Sequence, residues 1–550
     1  MLKFLIPAII IAISFAALEK VRANDSSRRP NIIIIMADDM GFSDIGCYGG
    51  EIQTPNIDRL AGNGLRFTQF YNTARCCPTR ASLLTGVYPH QADIGRMVHD
   101  SGVPGYRGRL NPKTATPAEL LGHEKNGYQT FIVGKWHVTP YDYKSRVASD
   151  RGSWPLQRGF DHFYGTLAGG GSYFDPVALM RDNEFIKPPR QGYYYTDVIS
   201  DAAAGFIGDA AGDPRPFFMY IAYTSPHWPL HAKEKDIAKY QGVYDKGWDA
   251  LRAERLARMK RLGIVDDRHS LSDRDPRVPA WKDVKDKRWQ ARRMAVYAAQ
   301  IDAMDQGIGR IVAALEKTGR LDNTLIMFLA DNGGCDELLG ENDPNRINYY
   351  AYPLGDDFLC GNNPQVDPGP RNTFASYGIG WANASNTPFR LYKKRIQEGG
   401  VSTPLVVHWP RVIKCGGELR HQVGHVVDLV PTCLDAAGIE YPGFCDKTQL
   451  VPPEGQSLLP AMKGQTVTER TIYWEHIGNQ GVRRGDWKLV RERGKPWSLY
   501  NLAKDPVELE DLTKKNVSKV KELVEAYNAW AKRCNVNTLK PDKTKRKRKR

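Results

Sequence analysis

Cysteine is scarce in this chain. Nine cysteines are scattered over 550 residues, too thin a distribution for a cystine framework, so the fold must rest on an apolar core. Membrane-length apolar runs are short as well. The N-terminal run from Phe4 to Leu18 has 15 residues, fewer than the roughly 20 of a bilayer-spanning helix. There is no internal repeat, which sets aside solenoids and propellers. Low hydrophobicity, the mark of disorder, is absent too: 41% of residues are hydrophobic, 10% aromatic and 25% charged, the balance of an ordinary globular protein.

What is present begins with Lys3, the apolar run, and small residues at Val21 and Ala23. This reads as a signal peptide, residues 1–23, cleaved after Ala23, with a membrane anchor as the alternative. Export to a periplasm or to the outside of the cell would permit disulfides, and Cys433 and Cys445, among other combinations, are near enough in sequence to pair. Asn383-Ala384-Ser385 and Asn516-Val517-Ser518 fit the glycosylation pattern, which matters only in a eukaryotic host. The net charge of +15 is partly local: Lys543, Lys545, Arg546, Lys547, Arg548, Lys549 and Arg550 end the chain. Residues 541–550 read as a disordered, solvated tail able to contact polyanions or an anionic cell surface. No nucleic-acid partner is expected.

Asn31-Ile32-Ile33-Ile34-Ile35-Met36 is a continuous apolar, β-branched run, the pattern of a central strand covered on both faces, and it ends in Ala37-Asp38-Asp39. Thr324 to Leu329 is a second such strand, ending in Ala330-Asp331-Asn332-Gly333-Gly334. Shorter strands are expected at 129–133 and 217–221. Met294, Tyr297, Ile301, Met304, Ile308, Ile311 and Leu315 recur at helical spacing. Strands alternating with helices predict a largely parallel α/β sheet, whose ligands bind beyond the carboxyl ends of the strands. The charged stretch 236–290 reads as surface helices and loops. From about 466 to 540, short strand-like segments and a final helix near 517–531 predict a smaller C-terminal domain with an antiparallel sheet, so 24–465 forms the main domain.

Asp38, Asp39, Asp331 and Asn332 offer only oxygen ligands, which suits a hard divalent cation, Ca²⁺ or Mg²⁺, better than zinc. Neighbouring side chains on a strand point to opposite faces, so Asp38 and Asp39 reach one ion only if the chain leaves strand geometry there. A lone Asp-Asp pair would otherwise be a turn or cap. In Cys76-Cys77-Pro78-Thr79-Arg80, Pro78 is preset for the first turn of a helix that would stop near Gly86. Cys76 would then sit at the helix's positive end, which lowers a thiol pKa and draws anions. Taken alone, Cys76 or Cys77 would be a disulfide half or a buried thiol.

The eleven residues from Cys76 to Gly86 resemble the signature of the formylglycine-dependent type I sulfatases of the alkaline phosphatase superfamily: Cys-x-Pro-Ser-Arg followed by Leu-Thr-Gly. Pro78 marks Cys76 as the first residue of that pattern and Cys77 as its variable one; Thr79 stands where Ser is commoner. The resemblance extends over roughly 30–512 and leans towards bacterial arylsulfatases through Asn386-Thr387-Pro388-Phe389-Arg390 and Glu398-Gly399-Gly400-Val401-Ser402-Thr403-Pro404. It implies an alkaline-phosphatase-like sandwich, a large mostly parallel sheet between helices plus a smaller C-terminal domain. It implies that Cys76 is oxidised to formylglycine by a separate maturation enzyme. It also implies that Asp38, Asp39, Asp331, Asn332 and the modified Cys76 hold calcium rather than magnesium.

By the same resemblance Arg80 steadies the formylglycine. In Gly134-Lys135-Trp136-His137, Lys135 contacts sulfate and His137 the formylglycine hydroxyl, while His227 of Ser225-Pro226-His227 faces the leaving-group oxygen. Lys393, five residues before Glu398-Gly399-Gly400, is the second sulfate-binding lysine, with Lys394 its neighbouring rival. Asp331 is the candidate proton acceptor. Without the family, single Lys and His residues are usually surface or packing residues. The implied activity is hydrolysis of sulfate esters, aryl sulfates or sulfated carbohydrates. A phosphonate or phosphate diester hydrolase of the same superfamily, or a non-catalytic sulfated-glycan receptor with unmodified Cys76, are the rivals. Loops within 140–195 and 335–390 would set specificity.

Overall fold

The apolar run at 31–36 becomes the strand Asn31–Ala37, flanked on both sides by parallel strands, Phe217–Ala222 and Thr324–Ala330. The computed structural model describes residues 29–142, 148, 150–189, 191–340, 359–445 and 448–537. The expected signal peptide, residues 1–23, and the basic tail at 541–550 lie outside the described residues, as do parts of both proposed specificity loops. No helix among the described residues is long and apolar enough to cross a membrane.

From Phe217–Ala222 the sheet continues through Gln129–Lys135 and His162–Thr166, again in parallel. On the other side Ser402–His408 joins Thr324–Ala330 antiparallel and leads to Leu65–Tyr71. The sheet is therefore mixed but mostly parallel, as expected from the strand and helix order. Its side chains split between two cores. Ile33 and Ile35 face one cluster, Ile32, Ile34 and Met36 the other, so period-two alternation feeds apolar residues to both faces. The helix Lys287–Lys317 covers the first face with all seven residues of its predicted stripe, from Met294 to Leu315. The second face holds the short helix Cys76–Thr85.

At the C-terminal end, four antiparallel strands, Thr471–His476, Asn479–Arg484, Trp487–Arg491 and Ser498–Asn501, form the expected small sheet. One face packs Val482, Leu489 and Leu499 against Leu523, Tyr527 and Trp530 of the helix Val517–Arg533. The opposite face carries Ile472, Trp474 and Val490 onto Tyr71, Ala74, Ile396 and Val401 of the main body. Across this junction the fully buried Lys488 amine lies 2.6 Å from Glu398 and 2.9 Å from Glu508. A lone buried lysine would carry a large desolvation cost; two carboxylates offset it.

Three expectations need correction. The charged segment 236–290 is not simply surface, because the helix Gly247–Arg261 buries Trp248, Leu251, Arg255 and Met259. The Arg255 guanidinium is 2.6 Å from Asp44 Oδ1 and 2.8 Å from Glu51 Oε1, partners distant in sequence that make its burial tolerable. Cys433 is a buried free thiol rather than a disulfide half, and the side chain of Cys445 lies outside the described residues. Asn383 is buried in the helix Gly378–Ser385, which closes that glycosylation pattern to a glycan.

Replacing Arg255 with Met should lower stability by about 3–5 kcal/mol, because the fully buried Asp44 would lose its ion-pair partner. Denaturant unfolding monitored by tryptophan fluorescence measures this, and a change within error would show that the pair is dispensable.

Candidate active site

The carboxyl ends of Asn31–Ala37 and Thr324–Ala330 lie side by side, joined beyond the last strand residue by Asp331 N–H donating to the Ala37 carbonyl at 3.1 Å. Asp38, Asp39, Asp331 and Asn332 follow immediately and are all buried. Asp39 has φ 65°, the left-handed region. This departure from strand geometry lets successive aspartates turn to the same side. Ala74, His137, Leu391 and Lys394 also have positive φ. Strained backbone thus gathers around one place, as it often does at functional sites.

Three carboxylates so close and so dry demand compensation. Lys135 Nζ is 2.5 Å from Asp38 Oδ2. Lys393 Nζ is 2.6 Å from Asp39 Oδ1 and 2.8 Å from its Oδ2. Arg80, fully buried, donates to Asp331 Oδ2 at 2.9 Å, to the Lys135 carbonyl at 3.1 Å and to the Tyr220 hydroxyl at 3.2 Å, and lies 3.6 Å from Asp38. Burial raises the proton affinity of Asp38 and Asp331. At Asp38 it is outweighed by Lys135, His227 and Arg80, which hold the carboxyl well below its ordinary range. At Asp331, burial and the Asp38 charge prevail and push the carboxyl well up. Two acids on adjacent strand ends are thereby given opposite protonation tendencies.

Asn332 Nδ2 donates to Asp39 Oδ1 at 2.6 Å and to the Gly333 carbonyl at 2.9 Å, which leaves its Oδ1 as the free acceptor. That oxygen and Asp38 Oδ1 are both buried without a hydrogen-bond partner. Orphaned, inward-facing oxygens amid an all-oxygen donor set fit a hard divalent cation.

Cys76 opens the helix Cys76–Thr85, whose C-cap Gly86 has φ 69°, so the expected start and stop both hold. The Thr79 and Thr73 hydroxyls share a hydrogen bond at 2.9 Å in which either can donate, and Thr79 Oγ1 accepts from the Thr73 N–H at 3.0 Å. A hydroxyl is what this position uses, and threonine supplies it as well as serine. Around Cys76, the Sγ atoms of Cys76 and Cys77 and a ring nitrogen of His137 lie within 4.8 Å of one another, as do ligand atoms of Asp38, Asp39 and His227. His137 sits tightly over Gly169, where a Cβ would come within 2.2 Å of its ring. Burial lowers the His137 pKa to about 4, keeping the imidazole neutral. His227 pairs its Nδ1 with the Trp228 carbonyl at 2.6 Å, turning Nε2 to Asp39 at 3.4 Å.

The structure thus gathers Asp38, Asp39, Cys76, Arg80, Lys135, His137, His227, Asp331, Asn332 and Lys393 in one buried cluster. Of the two candidate lysines, Lys393 turns inward to Asp39, whereas Lys394 pairs with Glu337. Sequence reasoning missed the support beneath. Asp44 Oδ2 accepts from Gly41 N–H and from the Tyr297 hydroxyl, both at 2.8 Å, while Tyr297 also donates to the Asp39 carbonyl at 3.1 Å. An acid amid the glycines at 41 and 46 was the available signal. Glu337 was missed too; it carried no motif.

The Sulfatase family model matches residues 30–439, and a model for the N-sulphoglucosamine sulphohydrolase C-terminal region matches 388–530. An uncharacterised sulfatase of Schizosaccharomyces pombe is 32% identical, covering 94% of this chain and 96% of its own. An arylsulfatase of Klebsiella aerogenes is 34% identical over 78% of this chain and 91% of its own. Among solved structures, Ps i-CgsB in complex with k-i-k-neocarrahexaose superposes with a TM-score of 0.65 at 25% identity, covering 94% of this chain and 96% of that one. With the acidic strand ends, the cysteine at a helix start and a family match over most of its length, this chain belongs to the sulfatase family and hydrolyses sulfate esters.

Proposed function

We propose that this sulfatase works through a formylglycine made from Cys76 and a calcium ion held by Asp38, Asp39, Asp331 and Asn332. We also propose that it is exported, by the N-terminal segment already described. The observation that carries the metal reading is the pair of orphaned buried oxygens, Asp38 Oδ1 and Asn332 Oδ1. When bound, calcium would polarise sulfate oxygens, and the modified residue would supply a hydroxyl nucleophile in place of a thiol.

The chain's own groups divide the remaining work. Lys135 and Lys393 offset charge that builds on the sulfate oxygens in the transition state. Arg80 holds Asp331 against Lys135 and Tyr220, keeping the acid oriented. Asp331, held by Arg80, takes the proton released at position 76, and neutral His137 hydrogen-bonds the hydroxyl there. His227 donates its Nδ1–H to the Trp228 carbonyl, so it gives a proton from Nε2 to the departing oxygen as the imidazolium and is left as the neutral ring. The substrates are aryl sulfates or sulfated carbohydrates. The arylsulfatase relative and the neocarrahexaose-bound neighbour support that range.

Mass analysis of the peptide containing Cys76 from the native host should show sulfur and two hydrogens lost for one oxygen, and Cys76→Ala should abolish turnover of an aryl sulfate. Only thiol at position 76, or more than trace activity in the variant, sinks the nucleophile assignment. A large preference for an aryl phosphodiester over the sulfate would make this a diester hydrolase instead.

Chelation should remove activity and Ca²⁺ should restore it. Ca²⁺ should also raise the unfolding midpoint by mass action, an effect expected to vanish in Asn332→Ala. An unchanged midpoint with Ca²⁺ in the parent protein would contradict the calcium site. Gly169→Ala should displace the His137 ring and cut turnover by roughly 10²-fold, the scale of one positioned acid–base group; wild-type rates would remove His137 from the mechanism.

A further inference from the structure

Beside the sulfate-binding cluster lies a second group of polar side chains that the hydrolytic chemistry does not use. Lys394 N–H donates to the Ala74 carbonyl at 2.7 Å, so Lys394 and Arg75, the residue preceding Cys76, flank the nucleophile position. Asn479 Nδ2 donates to the Lys394 carbonyl at 2.9 Å and to the His476 carbonyl at 3.2 Å. The tight turn between Thr471–His476 and Asn479–Arg484 is thereby anchored on Lys394, and His476 of the C-terminal sheet is brought to the same place. The charges of Arg75, His90 and Lys394 act on the His476 ring, as does that of Cys76.

This group is under-satisfied. His476 is completely buried, yet neither ring nitrogen has a hydrogen-bond partner, and Arg75 Nε and His90 Nδ1 are also buried without one. Buried polar atoms are almost always paired, so orphaned nitrogens on Arg75 and on His476, both tied to the Lys394 region, point to a ligand. The remaining groups are accounted for. Glu337 ion-pairs with Lys394, lies 3.9 Å from Arg75 and accepts from Trp228 Nε1 at 3.0 Å. Asp336 is turned to Arg277 at 3.6 Å. His90 Nε2 is 2.8 Å from Glu475. Arg75 and Lys394 against Glu337 leave one net positive charge. Their side chains stay partly open, 18% and 25% exposed.

We infer that Arg75, Lys394 and His476 form a subsite for a second anionic group, a sulfate or a carboxylate, on the saccharide that carries the scissile sulfate ester, while Glu337 accepts from a sugar hydroxyl. Arg75 Nε and one ring nitrogen of His476 supply unmet donors, which match anionic oxygens, and a guanidinium with an ammonium is the pairing best suited to planar or tetrahedral oxyanions. A simple aryl sulfate would leave those donors unmet. The inference rests on the sulfatase reading of the site above and names the substrate class within it.

The test uses matured, calcium-loaded full-length protein and measures kcat/KM for sulfate release from four compounds. These are 4-nitrophenyl sulfate, a monosulfated sugar, the same sugar with a neighbouring second sulfate, and its counterpart with a neighbouring carboxylate. The parent protein should prefer at least one doubly anionic sugar over the monosulfated one by about tenfold or more, the scale of one charge-assisted hydrogen bond. Which of the two it prefers identifies the anion. Arg75→Met, Lys394→Met and His476→Asn should each collapse that ratio, mainly through KM. The three variants keep the test open if one of them fails to fold. No preference in the parent, or variants that lose all substrates in equal proportion, overturns the subsite. Release of sulfate from none of the four would instead overturn the functional reading itself.

Discussion

Three carboxylates packed beyond the ends of two parallel strands are the constraint around which this molecule is organised. Asp38, Asp39 and Asp331 have almost no access to water, and without compensation their mutual repulsion would unfold the strand ends. Lys135, Lys393 and Arg80 answer them, and each arrives on a different element: the end of Gln129–Lys135, the loop before Ser402–His408, and the helix Cys76–Thr85. Compensating the acids therefore also assembles the site, because the cations that make the acids tolerable are the groups that would meet a sulfate.

That assembly needs a rigid frame. The turn carrying Asp39 is held by Asp44 and Tyr297, and Asp44 is held in turn by Arg255, so a surface-like charged helix reaches through one buried ion pair to the turn that bears the acidic cluster. On the other side the C-terminal sheet is fastened by the Glu398–Lys488–Glu508 cluster and by Asn479 on Lys394. The small domain thus supplies part of the wall beside Cys76 as well as packing.

Much of this was legible in the linear chain. Continuous β-branched runs at 31–36 and 324–329 mean strands buried on both faces, and apolar residues at three- and four-residue steps from Met294 to Leu315 mean a helix on one of those faces. Both follow from the repeat of backbone geometry. The acidic residues closing the two strands, and the Cys76 to Gly86 pattern, were readable for the same local reason: strand end, helix start and cap are set within a few residues. The charged stretch 236–290 misled because an arginine's burial depends on acids about two hundred residues away, and composition cannot report such a partner. For Cys433 the linear chain left the pairing open, since nearness in sequence says nothing about whether a thiol faces the core.

The sequence by itself therefore determined the strand and helix identities, the place of Cys76 at a helix start and the oxygen-only donor set at the strand ends, all products of short-range geometry and side-chain chemistry. Only the tertiary structure decided that Lys393 rather than Lys394 turns to Asp39, that Asp38 Oδ1 and Asn332 Oδ1 are buried without a hydrogen-bond partner, and that Asn479 of the C-terminal sheet fastens onto Lys394. Those outcomes depend on which distant segments share a buried volume, and in such a volume every charge and polar atom must find its counterpart in space rather than along the chain.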